Sequence, residues 1–318
     1  MSSTNEGVRG QELEATHRAD LAVIVNVGRA ADVAGLFEND MTRDPNSGRV
    51  ADIDIRRDDQ GNLVPTAQLG KVMEMGQAGV APTVVLVGQA GKEGDTNKIE
   101  TLEQLIREGA VGVEVLQAVV EDSGNFKKGR GYLQAIVEMA KSGRVGAERP
   151  LIVWADAAKP DSDDIEGYID SMVGPLSGLG EENSGVVVSP VSYSEEDPET
   201  RRKMNPLQRV FIRDILSRLG AQFGPAFALK MTPEQAEKFK DGSYEQEFAG
   251  KPETEDDVLL INEMGRRGRG NRVATSKQSQ IGKIRAYIGK TMSRIKGEDP
   301  DRHRKAIEES DFTISTKQ

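Results

Sequence analysis

The run Leu21-Ala-Val-Ile-Val-Asn-Val27, bounded by Asp20 and Gly28, is apolar on both of the faces a strand would present. A strand of that kind needs cover on both sides, which points to a sheet flanked by helices rather than a half-wet sheet. Further strands are expected at residues 83–87, 111–120, 151–154, 186–188 and 226–231. Between these runs lie segments of helical period. Residues 98–108 place Ile99, Leu102, Leu105 and Ile106 on one stripe, with Gly109 as the stop. Residues 31–41, 132–141, 163–173 and 205–220 read as further helices, and Thr232-Pro-Glu-Gln235 opens another with a capping-box pattern. Residues 49–57 alternate Ala51, Ile53 and Ile55 with Asp52, Asp54 and Arg56, predicting a strand with one wet face, and residues 58–62 turn back into Leu63 and Val64. The fold class expected is α/β, with a mainly parallel or mixed sheet flanked by helices and a basic C-terminal strand and helix arm.

Charge divides the chain. Residues 265–296 carry ten Lys or Arg and no Asp or Glu, whereas the whole chain is at −10, so everything else carries −20. A segment that reverses the sign of the molecule is expected to seek an acidic surface. The expected organisation is a polar N-terminal arm at 1–18, an α/β core at 19–238, an acidic loop or linker rich in Gly and Pro at 239–257, and a basic segment at 258–318. That last segment opens with an apolar strand at 258–261. It then contains a helix at 279–295, with Ile281, Ile284, Ile288, Met292 and Ile295 forming an apolar stripe and Lys283, Lys290 and Arg294 lying off it. Cysteine is absent, which excludes disulfides, thiolate metal sites and cysteine nucleophiles. The N-terminus has no apolar leader and no run approaches the ~18 residues of a membrane span, so a soluble, intracellularly made protein with no membrane partner is expected.

Catalytic chemistry is sparse. His17 and His303 both sit in charged terminal segments, where solvated side chains are expected rather than bases or ligands. Gly88-Gln-Ala-Gly-Lys92 follows a buried strand and could receive phosphate on backbone N–H groups and a lysine. A Walker loop, however, needs more residues and a Ser or Thr after the lysine, where Glu93 stands. Asp156 and Ser189 close strands at positions where α/β enzymes gather reactive groups, without a nucleophile elbow or a histidine partner. The acidic stretches at 161–164 and 195–197 do not have the spacing of a calcium loop. No catalytic, cofactor-binding or metal-ligating residue is therefore assigned, and no cofactor is expected.

Residues 80–94, Val-Ala-Pro-Thr-Val-Val-Leu-Val-Gly-Gln-Ala-Gly-Lys-Glu-Gly, leading into Ile99-Glu-Thr-Leu-Glu-Gln-Leu105, resemble the opening strand, glycine turn and helix of contractile phage tail-sheath subunits. The pieces at 258–261, 268–273, 283–288 and 298–301 are similar, in the same order, to that family's late strand, glycine and arginine turn, arginine-bearing helix and acidic-Pro-acidic loop. The resemblance implies a self-assembling shell in a virion, put together in the host cytoplasm around a tail tube, without an active site.

The expected function is thus structural. Copies would associate head to tail into rings or helical tubes, with Arg266, Arg267, Arg269, Arg272, Lys283, Arg285, Lys290 and Arg294 contacting acidic surfaces on neighbouring copies or on a tail-tube or other virion protein. Two alternatives stand beside it. One is a cytoplasmic α/β enzyme acting on a phosphorylated or nucleotide-like ligand, with Gly88, Gly91 and Lys92 holding phosphate and Asp156 as acid/base or metal contact. The other is a nucleic-acid-associated protein using the basic arm, an option weakened by the presence of only Tyr287 as a stacking platform in that arm.

Overall fold

The computed structural model describes residues 17–120, 128–145, 148–154, 165–188, 226–243, 273–275 and 312–317. These form an α/β protein with two sheets. The larger has seven strands in the order β5-β4-β1-β6-β8-β7-β9. They are β1 (Ala19–Asn26), β4 (Val80–Gln89), β5 (Glu114–Val120), β6 (Leu151–Trp154), β7 (Gly185–Val188), β8 (Ala226–Lys230) and β9 (Val273–Thr275). Strands β4, β1, β6 and β5 run parallel, β8 is antiparallel to both β6 and β7, and β9 is parallel to β7. The sheet is therefore mixed. The smaller sheet has the order β10-β3-β2, from β2 (Asn39–Arg43), β3 (Val50–Arg56) and β10 (Thr313–Lys317).

Alternate residues of the central strands feed two separate cores, which is why these runs are apolar throughout. Leu21, Val23 and Val25 of β1, Val84 and Leu86 of β4, and Ile152 and Trp154 of β6 face one side. There they meet α1 (Ala30–Ala34), α2 (Ala67–Gln77), α3 (Glu93–Gly109), α5 (Ile165–Ser177) and the apolar face of the small sheet. Ala22 and Ile24, Val85 and Val87, and Leu151 and Val153 face the other side, against α4 (Lys128–Lys141) and α6 (Pro233–Lys240). Trp154 is completely buried, and its Nε1 donates to Tyr168 Oη at 3.1 Å with the rings edge to face. At the amino-terminal edge the carboxylate of Asp20 is buried between β4 and β6, with Arg149 Nε at 3.3 Å and Arg144 Nη1 at 4.0 Å.

Several expectations change in detail. The helix expected over 31–41 is a single turn, α1. The chain leaves it at Gly35, and Asn39–Arg43 pairs antiparallel with β3 as β2. Helix α2 lies in a stretch to which no element was assigned; Thr66 caps it by accepting from the Leu69 N–H at 3.3 Å, and Leu69, Val72 and Met75 are its buried stripe. Helix α3 begins at Glu93, so Gly94 lies inside it rather than in the preceding turn. Phe239, placed at the start of the acidic loop, is the buried last-turn residue of α6 and belongs to the second core. The strand expected at 258–261 and the helices expected at 205–220 and 279–295 lie outside the described residues.

Candidate functional site

In an open α/β sheet, ligands gather at the carboxyl ends of the strands where the strand order reverses. Here that place lies at the exit of β1, because the chain proceeds from β1 to β4 and β5 on one side and then crosses to β6 on the other. The exits of β1 and β4 are built alike. Beyond β1, Asp32 in the third position of α1 accepts the Asn26 N–H through Oδ2 at 3.2 Å, with the Arg29 guanidinium 3.5 Å from the same oxygen. Beyond β4, Asp95 in the third position of α3 accepts the Gln89 N–H through Oδ2 at 3.1 Å. Both carboxylates are buried, and each sits six residues after the amide it caps.

An acidic side chain in the first turn of a helix is stabilised by the helix dipole and by orphan N–H groups. A bound phosphate would use the same features. At β4 the carboxylate of Asp95 takes that position, and Lys92 Nζ and Lys98 Nζ lie 3.6 Å and 4.0 Å from its Oδ1. Gly88, which the enzyme alternative gives to phosphate, lies close against α3. A Cβ there would come within 2.8 Å of Ile99 Cδ1 and 3.4 Å of Asp95 Cβ. Gly91 has a φ of +74°, so it makes the turn into α3. The glycine and lysine residues singled out from the sequence are thus brought together, but around a carboxylate of the chain itself.

A second assembly of side chains lies nearby on the small sheet. Strand β10 pairs in parallel with β3, placing Thr313 opposite Asp52, Ser315 opposite Asp54 and Lys317 opposite Arg56. Its alternation fits both faces of its seat. Phe312, just before the strand, is buried under Lys98 with Nζ 3.8 Å from the ring centre, a cation–π contact, and Ile314 packs against the same core. On the outer face the Thr313 hydroxyl donates to Asp52, the Ser315 hydroxyl donates to Asp54, and the Lys317 ammonium pairs with Asp54. Across β3, Asp40 of β2 stands directly opposite Asp54, and Arg56 neutralises Asp40. The Lys317 ammonium, and after it the Ser315 hydroxyl, hold the Asp54 carboxyl below its ordinary range; Arg56 does the same for Asp40. An open groove of about 520 Å³ separates β10 from the first half of α3, lined by Gly94, Asn97, Thr101, Thr313 and Ile314 among others. No signal in the sequence marked residues 312–317 as a strand.

Arg266, Arg267, Arg269, Arg272, Lys283, Arg285, Lys290 and Arg294, expected to contact a partner, lie outside the described residues, as do Asp156, Ser189 and His303. His17 is half-buried near Asp20, whose carboxyl is pushed up by burial. Among the described residues no group of three or more acidic or histidine side chains is placed to hold a metal ion, and no helix is long and apolar enough to cross a membrane.

No family model matches the chain, and no curated protein matches it. Among solved structures it is similar to a crystal structure of 4-diphosphocytidyl-2C-methyl-D-erythritol synthase, at 13% identity and a TM-score of 0.35, over 86% of this chain and 99% of that one. A likeness of that size defines neither fold nor function. The expected membership of the contractile tail-sheath family is corrected: no family model matches the chain, that of the sheath subunits included. The physical reason is visible at residues 80–94, whose strand, glycine turn and helix are shaped by the Ile99 and Asp95 packing described above. Such a unit is common to α/β proteins and carries no family information by itself.

Proposed function

We propose that this chain is a structural protein that associates with copies of itself head to tail, with β10 as the joining strand. The observation that carries this reading is the seat of β10: a short terminal strand, laid on β3 and held by one buried ring and a row of polar contacts. Thirty-six residues separate Thr275 from Phe312. A chain of that length spans at most about 130 Å, which leaves the same strand able to reach the β3 of a neighbour. Exchange of an identical element between copies needs no new contact chemistry, and a head-to-tail exchange generates rings or filaments.

The charge distribution supports the same reading. Ten positive charges at 265–296 on one copy meet a remainder that carries −20 on the next, which favours association of copies and makes it weaken with salt. Arg266, Arg267, Arg269, Arg272, Lys283, Arg285, Lys290 and Arg294 are the proposed contacts, and the cytoplasm the proposed place of assembly. Light scattering on a sizing column and negative-stain microscopy of the full chain, beside a chain ending at Asp311, test the proposal. Rings or filaments are expected for the full chain at high concentration and monomers for the shortened one. A full chain that stays monomeric overturns the reading.

A further inference from the structure

The outer face of the small sheet sets three carboxylates close together. Asp52 and Asp54 lie two apart on β3, and Asp40 is directly opposite Asp54 on β2. Like charges opposite one another destabilise a sheet unless they are compensated. Of the two cations on β2 and β3, Arg56 reaches Asp40, whereas Arg43 donates to the Gly48 carbonyl. Asp52 and Asp54 are partnered from β10, by the Thr313 hydroxyl, the Ser315 hydroxyl and the Lys317 ammonium. From α3 the facing charge is Lys98, over Phe312, and Glu38 adds a negative charge near Arg56.

We infer that β10 is a latch held by charge, whose release from β3 is set by ionic strength and by the charge carried at Ser315 and Lys317. The apolar anchor, Phe312 with Ile314, supplies an attraction that salt does not screen, whereas the register and the remaining hold come from the aspartate row. Asp54 is only 13% exposed and Lys317 62%, so one partner is partly sheltered and the other is open to ions. Salt therefore weakens the hold without abolishing the seat. A negative group at Ser315, whose hydroxyl now donates to Asp54, faces a carboxylate with no proton to give and ejects the strand. The consequence rests on the assembly reading above: a released β10 becomes available to another copy. The latch itself does not depend on that reading.

Hydrogen exchange on the full chain, at a concentration low enough to keep it monomeric, tests the latch directly. Protection of residues 312–317 is read at about 0.02 M and about 0.5 M sodium chloride, with β1 as an internal reference. The expected result is a fall of roughly twofold to fivefold at 312–317 with β1 unchanged. Asp54→Asn and Ser315→Asp each lower protection at low salt, and the paired exchange Asp54→Lys with Lys317→Asp restores the salt-sensitive protection. Protection at 312–317 that is the same at both salt concentrations overturns the inference in the unaltered protein, whatever the variants do. Light scattering of the same samples at high concentration separates the two ideas. A salt-sensitive strand in a protein that never associates leaves the latch standing and removes the assembly reading; associated copies with a salt-insensitive strand do the reverse.

Discussion

Asp95 illustrates how one side chain can decide what a strand exit is able to do. It accepts a backbone N–H, lies beside two lysines and fills the head of α3, all while buried. Asp95→Ala removes the acceptor and leaves cationic charge in a buried setting, so a loss of about 3 kcal/mol in urea unfolding is expected. Asp95→Asn, which keeps an oxygen for the Gln89 N–H, loses about 1 kcal/mol. Asp20 makes a different prediction. Burial raises its pKa above the ordinary 3.8, with Arg149 and then Arg144 opposing the shift. A carboxyl with a raised folded pKa favours the folded state most when protonated, and that contribution fades as pH rises through the folded value. Relative to the unaltered protein, Asp20→Asn therefore gains stability as pH increases from 3.8 toward neutrality, a trend that unfolding curves at stepped pH read directly. A flat difference across that range contradicts the assignment.

Among the elements, those with local causes were legible in the sequence. Strands β1, β4 and β6 are apolar runs whose two faces feed two cores, and Thr232 with Gln235 forms the capping box expected of it, each side chain bonding the other's backbone. Thr232→Ala is expected to cost about 1 kcal/mol, measured by thermal unfolding. Elements decided by distant partners were not legible. Residues 39–43 follow a helical turn and contain no β-branched residue except Thr42; β3 makes them a strand by pairing with them. Helix α2 is interrupted by Gly70 and Gly76, which weaken its local propensity, and Gly76 lies where a Cβ would come 3.3 Å from Pro82. Strand β10 is the extreme case, since Thr-Ile-Ser-Thr-Lys acquires its extended form from an aspartate row 261 positions earlier in the chain. Phe312→Ala removes the buried ring that precedes it. A loss of about 3 kcal/mol in the docking of this strand is expected, seen as fast exchange at 313–317 while β1 stays protected.

For the molecule as a whole, the candidate site was half visible. Gly88, Gly91 and Lys92 enter as phosphate-holding residues only in the enzyme alternative, because glycine and lysine after a buried strand can serve that purpose. What could not be read from spacing alone is that Asp95, three residues beyond Lys92, folds back onto the strand exit. The partner residues of β10 were equally hidden, because a single sequence does not reveal which of its many aspartates share a sheet face with its last few residues. At this scale the acidic remainder and the basic block together predict association that is strongest at low salt, which a concentration series in light scattering checks at two ionic strengths. Trp154 gives such experiments a built-in optical handle. It is the chain's single tryptophan and is wholly shielded from water beside Tyr168, in the core that the seven-stranded sheet shares with the apolar face of the small sheet, so its emission colour reports the integrity of that core. Unfolding of that core exposes Trp154 to water and produces a red shift, which an unlabelled sample reports directly.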